Sequence, residues 1–163
     1  LKIILLTAAL AAFLTGASAD GSGEGSAEQK ITLVPEAGAQ DKATAFVEER
    51  LDEGGIPFKT VAQVNIAVDE IFSNIILYSG AKEASISVGL DNGTVTVVFS
   101  DDGTPYDPTA KPDPDITLSA EERKIGGLGI FMVKKIMDSV VYEYRGGKNI
   151  LTLKKYAENR KNG

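Results

Sequence analysis

The sequence predicts an α/β two-layer sandwich: a mixed, mostly antiparallel sheet with helices packed on one face. Three observations predict it. The apolar pattern runs in the order β-α-α-β-β-loop-α-β-β, which segregates strands from helices. Two pairs of alternating runs are joined by tight turn signals, Asp91-Asn92-Gly93 and Gly146-Gly147, and such short links make antiparallel hairpins. No Gly-x-Gly-x-x-Gly follows the first strand, so a doubly wound dinucleotide-binding sheet is not expected.

At the start of the chain, "LKIILLTAALAAFLTGASAD" places Lys2 before an apolar run from Ile3 to Leu14 and then Ala17-Ser18-Ala19. Residues 1–19 thus have the pattern of a bacterial signal peptide or an anchor segment, with an apolar run short for a membrane span. The chain opens with Leu, so a fragment boundary is the alternative. Residues 20–29, rich in Gly and Ser, read as a flexible linker, and a folded domain is expected over 30–157, followed by a polar tail at 158–163. "KITLV" alternates and stops at Pro35, as a strand would. "AQDKATAFVEERLDEGG" places Ala43, Phe46, Val47 and Leu51 on one helical stripe and ends in glycine. The run 57–80 is a longer helix, with Pro57 at its start and Gly80 past its end. Its stripe is Val61, Val64, Val68, Ile71, Ile75 and Tyr78. "ASISVGLDNGTVTVVFSDDG" is a hairpin. The proline-rich stretch 104–127 is a long loop, a feature that is usually functional in a compact domain. "LGIFMVKKIMD" is a helix, and "VVYEYRGGKNILTLKKY" is the second hairpin.

Composition narrows the chemistry. The chain has 163 residues, enough for one domain with a substantial core. A formal net charge of −6 argues against a broad surface for nucleic acid or acidic membrane. Without Cys there is no disulfide framework and no thiolate zinc site. Without His there is no imidazole base, Ser-His-Asp triad or phosphohistidine. Carboxylates, amides, backbone N–H groups, Lys, Arg or a bound cation must do any chemistry.

Three stretches stand out. In "VDEIFSNIILYSG", Glu70 and Asn74 lie four apart and share a helix face bordered by Asn65, Ile66 and Asp69, while the opposite stripe is apolar. An amide oxygen can ligate Mg²⁺, and a carboxylate can take a proton or hold a water of that ion. A solvated helix face is the plainer reading. In "FSDDGTPYDP", Asp101 stands at a strand end with Gly103 two residues on. A carboxylate there can accept from an exocyclic amine such as adenine's, and the glycine lets backbone approach a base. A plain acidic turn is the alternative. In "KIGGLGIFMVKKIMD", Gly126, Gly127, Leu128 and Gly129 open an apolar helix, whose N–H groups and macrodipole suit phosphate. Close packing alone is the other reading, and no Walker A ending is present.

Taken together and in this order, the stretches resemble the N, G1 and G2 boxes of the GHKL ATPase superfamily, which has the Bergerat ATP-binding fold. "AVDEIFSNI", "DDGTPYDP", "KPDPDI" and "GGLGIFMVKKIMDSVVYEYRGGKNILTLKK" are most similar to the compact bacterial serine/threonine protein kinases that act as anti-sigma factors, across roughly residues 30–156. The resemblance implies ATP and Mg²⁺ as cofactors, Asn74 as the metal ligand and Glu70 as general base. It implies Asp101 and Gly103 at the adenine, and Gly127 and Gly129 around the phosphates with Gly126 as hinge. Residues 104–125 would be an ATP lid in which Arg123 or Lys124 neutralises γ-phosphate charge. Leu77-Tyr78 stands where many relatives carry a His. The implied partners are a sigma factor and a STAS-type anti-sigma-factor antagonist phosphorylated on Ser. No direct nucleic-acid contact is expected, and a homodimer is compatible with the family. A nucleotide-gated binding module without transfer is the competing reading. The catalytic half of a two-component histidine kinase is disfavoured by the missing His and dimerisation helices. Such a kinase needs cytoplasmic ATP, so the domain is expected on the cytoplasmic side despite the signal-like leader.

Overall fold

The computed structural model describes residues 26–110, 112–114 and 127–157. Five strands form one sheet: β1 (Ser26–Leu33), β2 (Ala84–Asp91), β3 (Thr94–Asp101), β4 (Ser139–Arg145) and β5 (Lys148–Tyr156). Their order is β1-β2-β3-β5-β4, and every neighbouring pair is antiparallel. Helices α1 (Ala39–Glu53), α2 (Phe58–Asn74) and α3 (Leu128–Ile136) supply the second layer. The predicted sandwich is therefore observed, with a sheet antiparallel throughout.

Sequence period decides what is buried. On the core face, Ile86 and Val88 of β2 pair with Phe99 and Val97 of β3, which in turn pair with Leu151 and Leu153 of β5. All six are buried, and the intervening Val98 and Thr152 are only half-buried. The β2–β3 turn contains Asn92 and Gly93 at φ 45° and 76°, the left-handed pair that a two-residue hairpin requires. Against this face lie Ala43, Val47 and Leu51 of α1 and Val64, Val68 and Phe72 of α2, all at 0% exposure. Full burial of a side chain the size of Phe72 contributes about 1.5–3 kcal/mol relative to an exposed position. The run Phe58–Ser79 is long and apolar enough to cross a membrane by length and composition. Its stripe from Val61 to Ile75 is instead spent on this core.

Two boundaries differ from expectation. Strand β1 begins at Ser26 and pairs from there with β2, so it recruits residues assigned to the linker. The second helix keeps α geometry only to Asn74, and Ile75–Ser79 form a π turn closed by Gly80. A π turn holds more residues than an α turn and so rotates the side chains beyond it. Tyr78, expected on the apolar stripe, is consequently 74% exposed.

Candidate active site

Helix α2 is the spine of the site. Glu70 and Asn74 are both half-buried on it, and Asn74 Nδ2 donates to Glu70 Oε1 at 2.9 Å. This bond orients the amide, turning its nitrogen to the carboxylate and leaving Oδ1 as the atom available to a cation. One residue back, Asp69 leaves the site, its Oδ1 accepting from Gln40 Nε2 at 2.7 Å. Gln40 Oε1 also accepts from Ser73 Oγ at 3.0 Å, so this polar set fastens α1 to α2.

The glycine-flanked helix meets the same carboxylate. Gly127 precedes α3 at φ 93°, a conformation that favours glycine. Gly129 has a different reason to be glycine: a Cβ there would lie 1.8 Å from Glu70 Oε1 and 2.0 Å from its Cδ. The start of α3 and the Glu70–Asn74 pair are thus brought together. Lys134 of α3 also pairs with Asp113 at 3.2 Å, tying the proline-rich segment to this helix. Arg123, Lys124 and Gly126, and most of the expected lid, lie outside the described residues.

The strand-end aspartate meets the far end of the same helical run. Asp101 is 6% exposed, and its Oδ1 accepts from Gly103 N–H at 2.9 Å and Asn149 Nδ2 at 3.1 Å. Thr104 N–H donates to Ser79 O at 2.8 Å, clasping the loop to the π turn. A Cβ on Gly103 would fall 2.4 Å from that carbonyl and 2.8 Å from Asp101 Oδ1, so this packing alone demands glycine. Asp102 turns the other way, accepting from the N–H groups of Lys82 (2.8 Å) and Glu83 (3.1 Å). The Glu83 N–H first, and then that of Lys82, hold its carboxyl below the ordinary value.

Sequence reasoning missed Asn149. It is buried on β5, directly opposite Asp101 in the β3–β5 register. Its signal was phase: Asn149 shares the inward side with Leu151 and Leu153, where an apolar residue is expected. Tyr142 of β4 reaches the same amide, its hydroxyl donating to Asn149 Oδ1 at 2.7 Å. Burial pushes the Tyr142 phenol above its ordinary pKa, and the charges of Asp107 and Asp101 act in the same direction. A separate cleft of about 600 Å³ lies at the other end of β3, beside Phe58, Leu90 and Thr94, and contains none of these residues.

Fold and site together define a class: a helix-on-sheet domain with a carboxylate–amide pair on its central helix, a buried aspartate at a strand end and a glycine-flanked helix start. The chain belongs to the histidine kinase-like ATPase domain family, whose model matches residues 33–155. It is 28% identical over 108 residues to the serine-protein kinase RsbW of Listeria monocytogenes serovar 1/2a, covering 61% of this chain and 69% of that protein. It is 29% identical over 94 residues to the serine/threonine-protein kinase BtrW of Bordetella bronchiseptica, covering 55% and 66%. Among solved structures, the RsbU and RsbW domains of a Mycobacterium tuberculosis protein share the fold, with a TM-score of 0.59 at 18% identity. That likeness covers 80% of this chain and 32% of the other. The family expected from the three sequence stretches is the one found.

Proposed function

We propose that this chain is an ATP-dependent protein serine/threonine kinase of the anti-sigma type, phosphorylating a serine of a STAS-type antagonist and binding a sigma factor. The observation that carries this reading is the junction on α2, where Glu70 is held by Asn74 at 2.9 Å and lies against Gly129 at the start of α3. A helix start, an amide oxygen and a carboxylate meet there, the group types that phosphate, a hard cation and proton transfer call for. Naming by relatives supports the kinase assignment, since both RsbW and BtrW are called serine or serine/threonine kinases.

Asn74 would hold Mg²⁺ through Oδ1, an oxygen donor of the kind that ion prefers, with phosphate oxygens and water as its other ligands. When bound, the ion supplies charge neutralisation for the phosphates, which an acidic chain needs. Asp101 accepts a hydrogen bond from the adenine exocyclic amine. The opening turn of α3, with Gly127, Leu128 and Gly129, faces the phosphates, and Arg123 or Lys124 adds positive charge from the lid. Glu70 takes the proton of the partner's serine hydroxyl as the new O–P bond forms at the γ-phosphorus. The bond to the β–γ bridging oxygen breaks, and ADP leaves. Placement and electrostatics dominate such a transfer, so no covalent help from the protein is required. We place the domain on the cytoplasmic side, where ATP is available, without direct nucleic-acid contact and with a homodimer as the assembly to test.

The test is transfer of labelled γ-phosphate to a candidate antagonist in Mg²⁺. Glu70→Ala is expected to slow transfer by about 10²-fold or more while nucleotide binding survives. Normal transfer by Glu70→Ala would remove the base assignment. Binding of nucleotide with no transfer by the parent protein would instead make the domain a nucleotide-gated binding module.

A further inference from the structure

The geometry points to Asn149, locked in one amide orientation by Tyr142, as the positioning residue that aims Asp101 and thereby sets purine selectivity. This inference rests on the adenine-reading role proposed for Asp101. The amide of Asn149 is 7% exposed and its two ends see opposite chemistry. Nδ2 faces three acceptors: Asp101 Oδ1 at 3.1 Å, Thr104 O at 3.1 Å and Gly103 O at 3.4 Å. Oδ1 faces two donors: Tyr106 N–H at 3.0 Å and the Tyr142 hydroxyl at 2.7 Å. A flipped amide would set its NH₂ against a backbone N–H and its oxygen against a carboxylate and two carbonyls. That arrangement is excluded in a buried site.

The consequence falls on Asp101. Gly103 N–H and Asn149 Nδ2 both bind its Oδ1, so the carboxylate cannot rotate freely and its other oxygen is held in a fixed direction. An oriented acceptor discriminates a base that donates at the six-position from one that carries a carbonyl there. Freed to turn, the carboxylate would meet the adenine amine less often, so ATP would lose a bond that a carbonyl-bearing base never makes. Asn149 also binds the carbonyls of Gly103 and Thr104 and the N–H of Tyr106, so the same amide shapes the loop beside the base. Tyr142 completes the set from a third strand, β4, with no contact to Asp101 itself among its hydrogen bonds.

The experiment is competitive binding of ATP, ITP and inorganic tripolyphosphate to the full chain in Mg²⁺, read as the ATP:ITP affinity ratio. Asp101→Asn is the control on the underlying reading and is expected to collapse the ratio. Asn149→Leu, similar in volume but without polar atoms, is expected to lower the ratio by about tenfold or more while tripolyphosphate affinity stays within about twofold. Tyr142→Phe, which removes one hydroxyl, is expected to lower the ratio by about threefold. It decides the question alone if Asn149→Leu does not fold. A merely structural Asn149 would weaken all three ligands together, and that result overturns the inference. An unchanged ratio in Asn149→Leu and Tyr142→Phe beside a collapsed one in Asp101→Asn overturns it too, leaving the site reading intact. An unchanged ratio in Asp101→Asn overturns the reading of the site and the inference with it.

Discussion

Gly129→Ala separates folding from chemistry at one atom. The added Cβ would sit 1.8 Å from Glu70 Oε1 and 2.0 Å from its Cδ. Non-bonded carbon and oxygen settle beyond about 3 Å, so the carboxylate must withdraw by about 1 Å or more. The displaced atoms are the tip of a flexible side chain, and the fold can yield there at small cost. Loss of the Glu70–Asn74 hydrogen bond costs about 0.5–1.5 kcal/mol. Replacing glycine by alanine in a helix recovers up to about 1 kcal/mol. The two nearly cancel, so unfolding free energy should stay within about 1 kcal/mol of the parent. Catalysis has no such compensation, because a misplacement of about 1 Å at a reacting group lowers rates about 10²-fold. The assay pairs urea unfolding with single-turnover phosphoryl transfer to a candidate antagonist, and the double variant Gly129→Ala/Glu70→Ala should be no slower than Glu70→Ala alone. Transfer at the parent rate by Gly129→Ala would refute the argument. So would a loss of stability beyond about 3 kcal/mol, which would mean that Glu70 cannot move aside.

Three further outcomes are expected from the same structure. Phe72→Ala removes a fully buried ring from the α2 core face and should lower unfolding free energy by about 3–5 kcal/mol in denaturant titration. Asp102 has its carboxyl held low by the Glu83 and Lys82 N–H groups. Its stabilising effect should be present above the ordinary carboxyl value and fade as pH falls through the lower folded-state value, so Asp102→Asn should flatten the acid limb of a thermal-stability profile. Tyr142 has the opposite sign: burial raises the phenol. Stability should be complete below the ordinary phenol value and fall as pH rises from there through the higher folded-state value. Phenolate is disfavoured near Asp107 and Asp101, and Tyr144 presses the same way. Tyr142→Phe should therefore lose stability near neutrality but show a flatter alkaline limb, as followed by circular dichroism.

Local chemistry made much of this domain legible before any coordinates. The hairpin at Asn92-Gly93 and the stripe from Val61 to Ile75 are properties of short windows, and period and turn type are enough to place them. The Glu70–Asn74 pair was legible for the same reason, since a spacing of four on a helix is already a contact. Tyr78 was misplaced because a π turn is a small geometric change with no strong sequence signature, and it alters the phase of everything beyond it. The early start of β1 depends on pairing with β2, which a Gly- and Ser-rich composition does not announce. Asn149 was missed because its meaning depends on the β3–β5 register, which sets it opposite a residue 48 positions earlier. Gly129 was legible as a helix-start glycine but not as the seat of the Glu70 carboxylate, a contact between α2 and α3.

The central claim is that α2 holds one wall of an ATP site whose base is read by Asp101 and whose cation is held by Asn74. Isothermal titration of the full chain with ATP, with and without magnesium, tests it most directly. We expect a saturable heat with one site per chain, strengthened by magnesium, with the magnesium increment lost in Asn74→Ala and the preference for adenine lost in Asp101→Asn. Absence of binding heat in the parent protein, or a magnesium increment undiminished in Asn74→Ala, would contradict it.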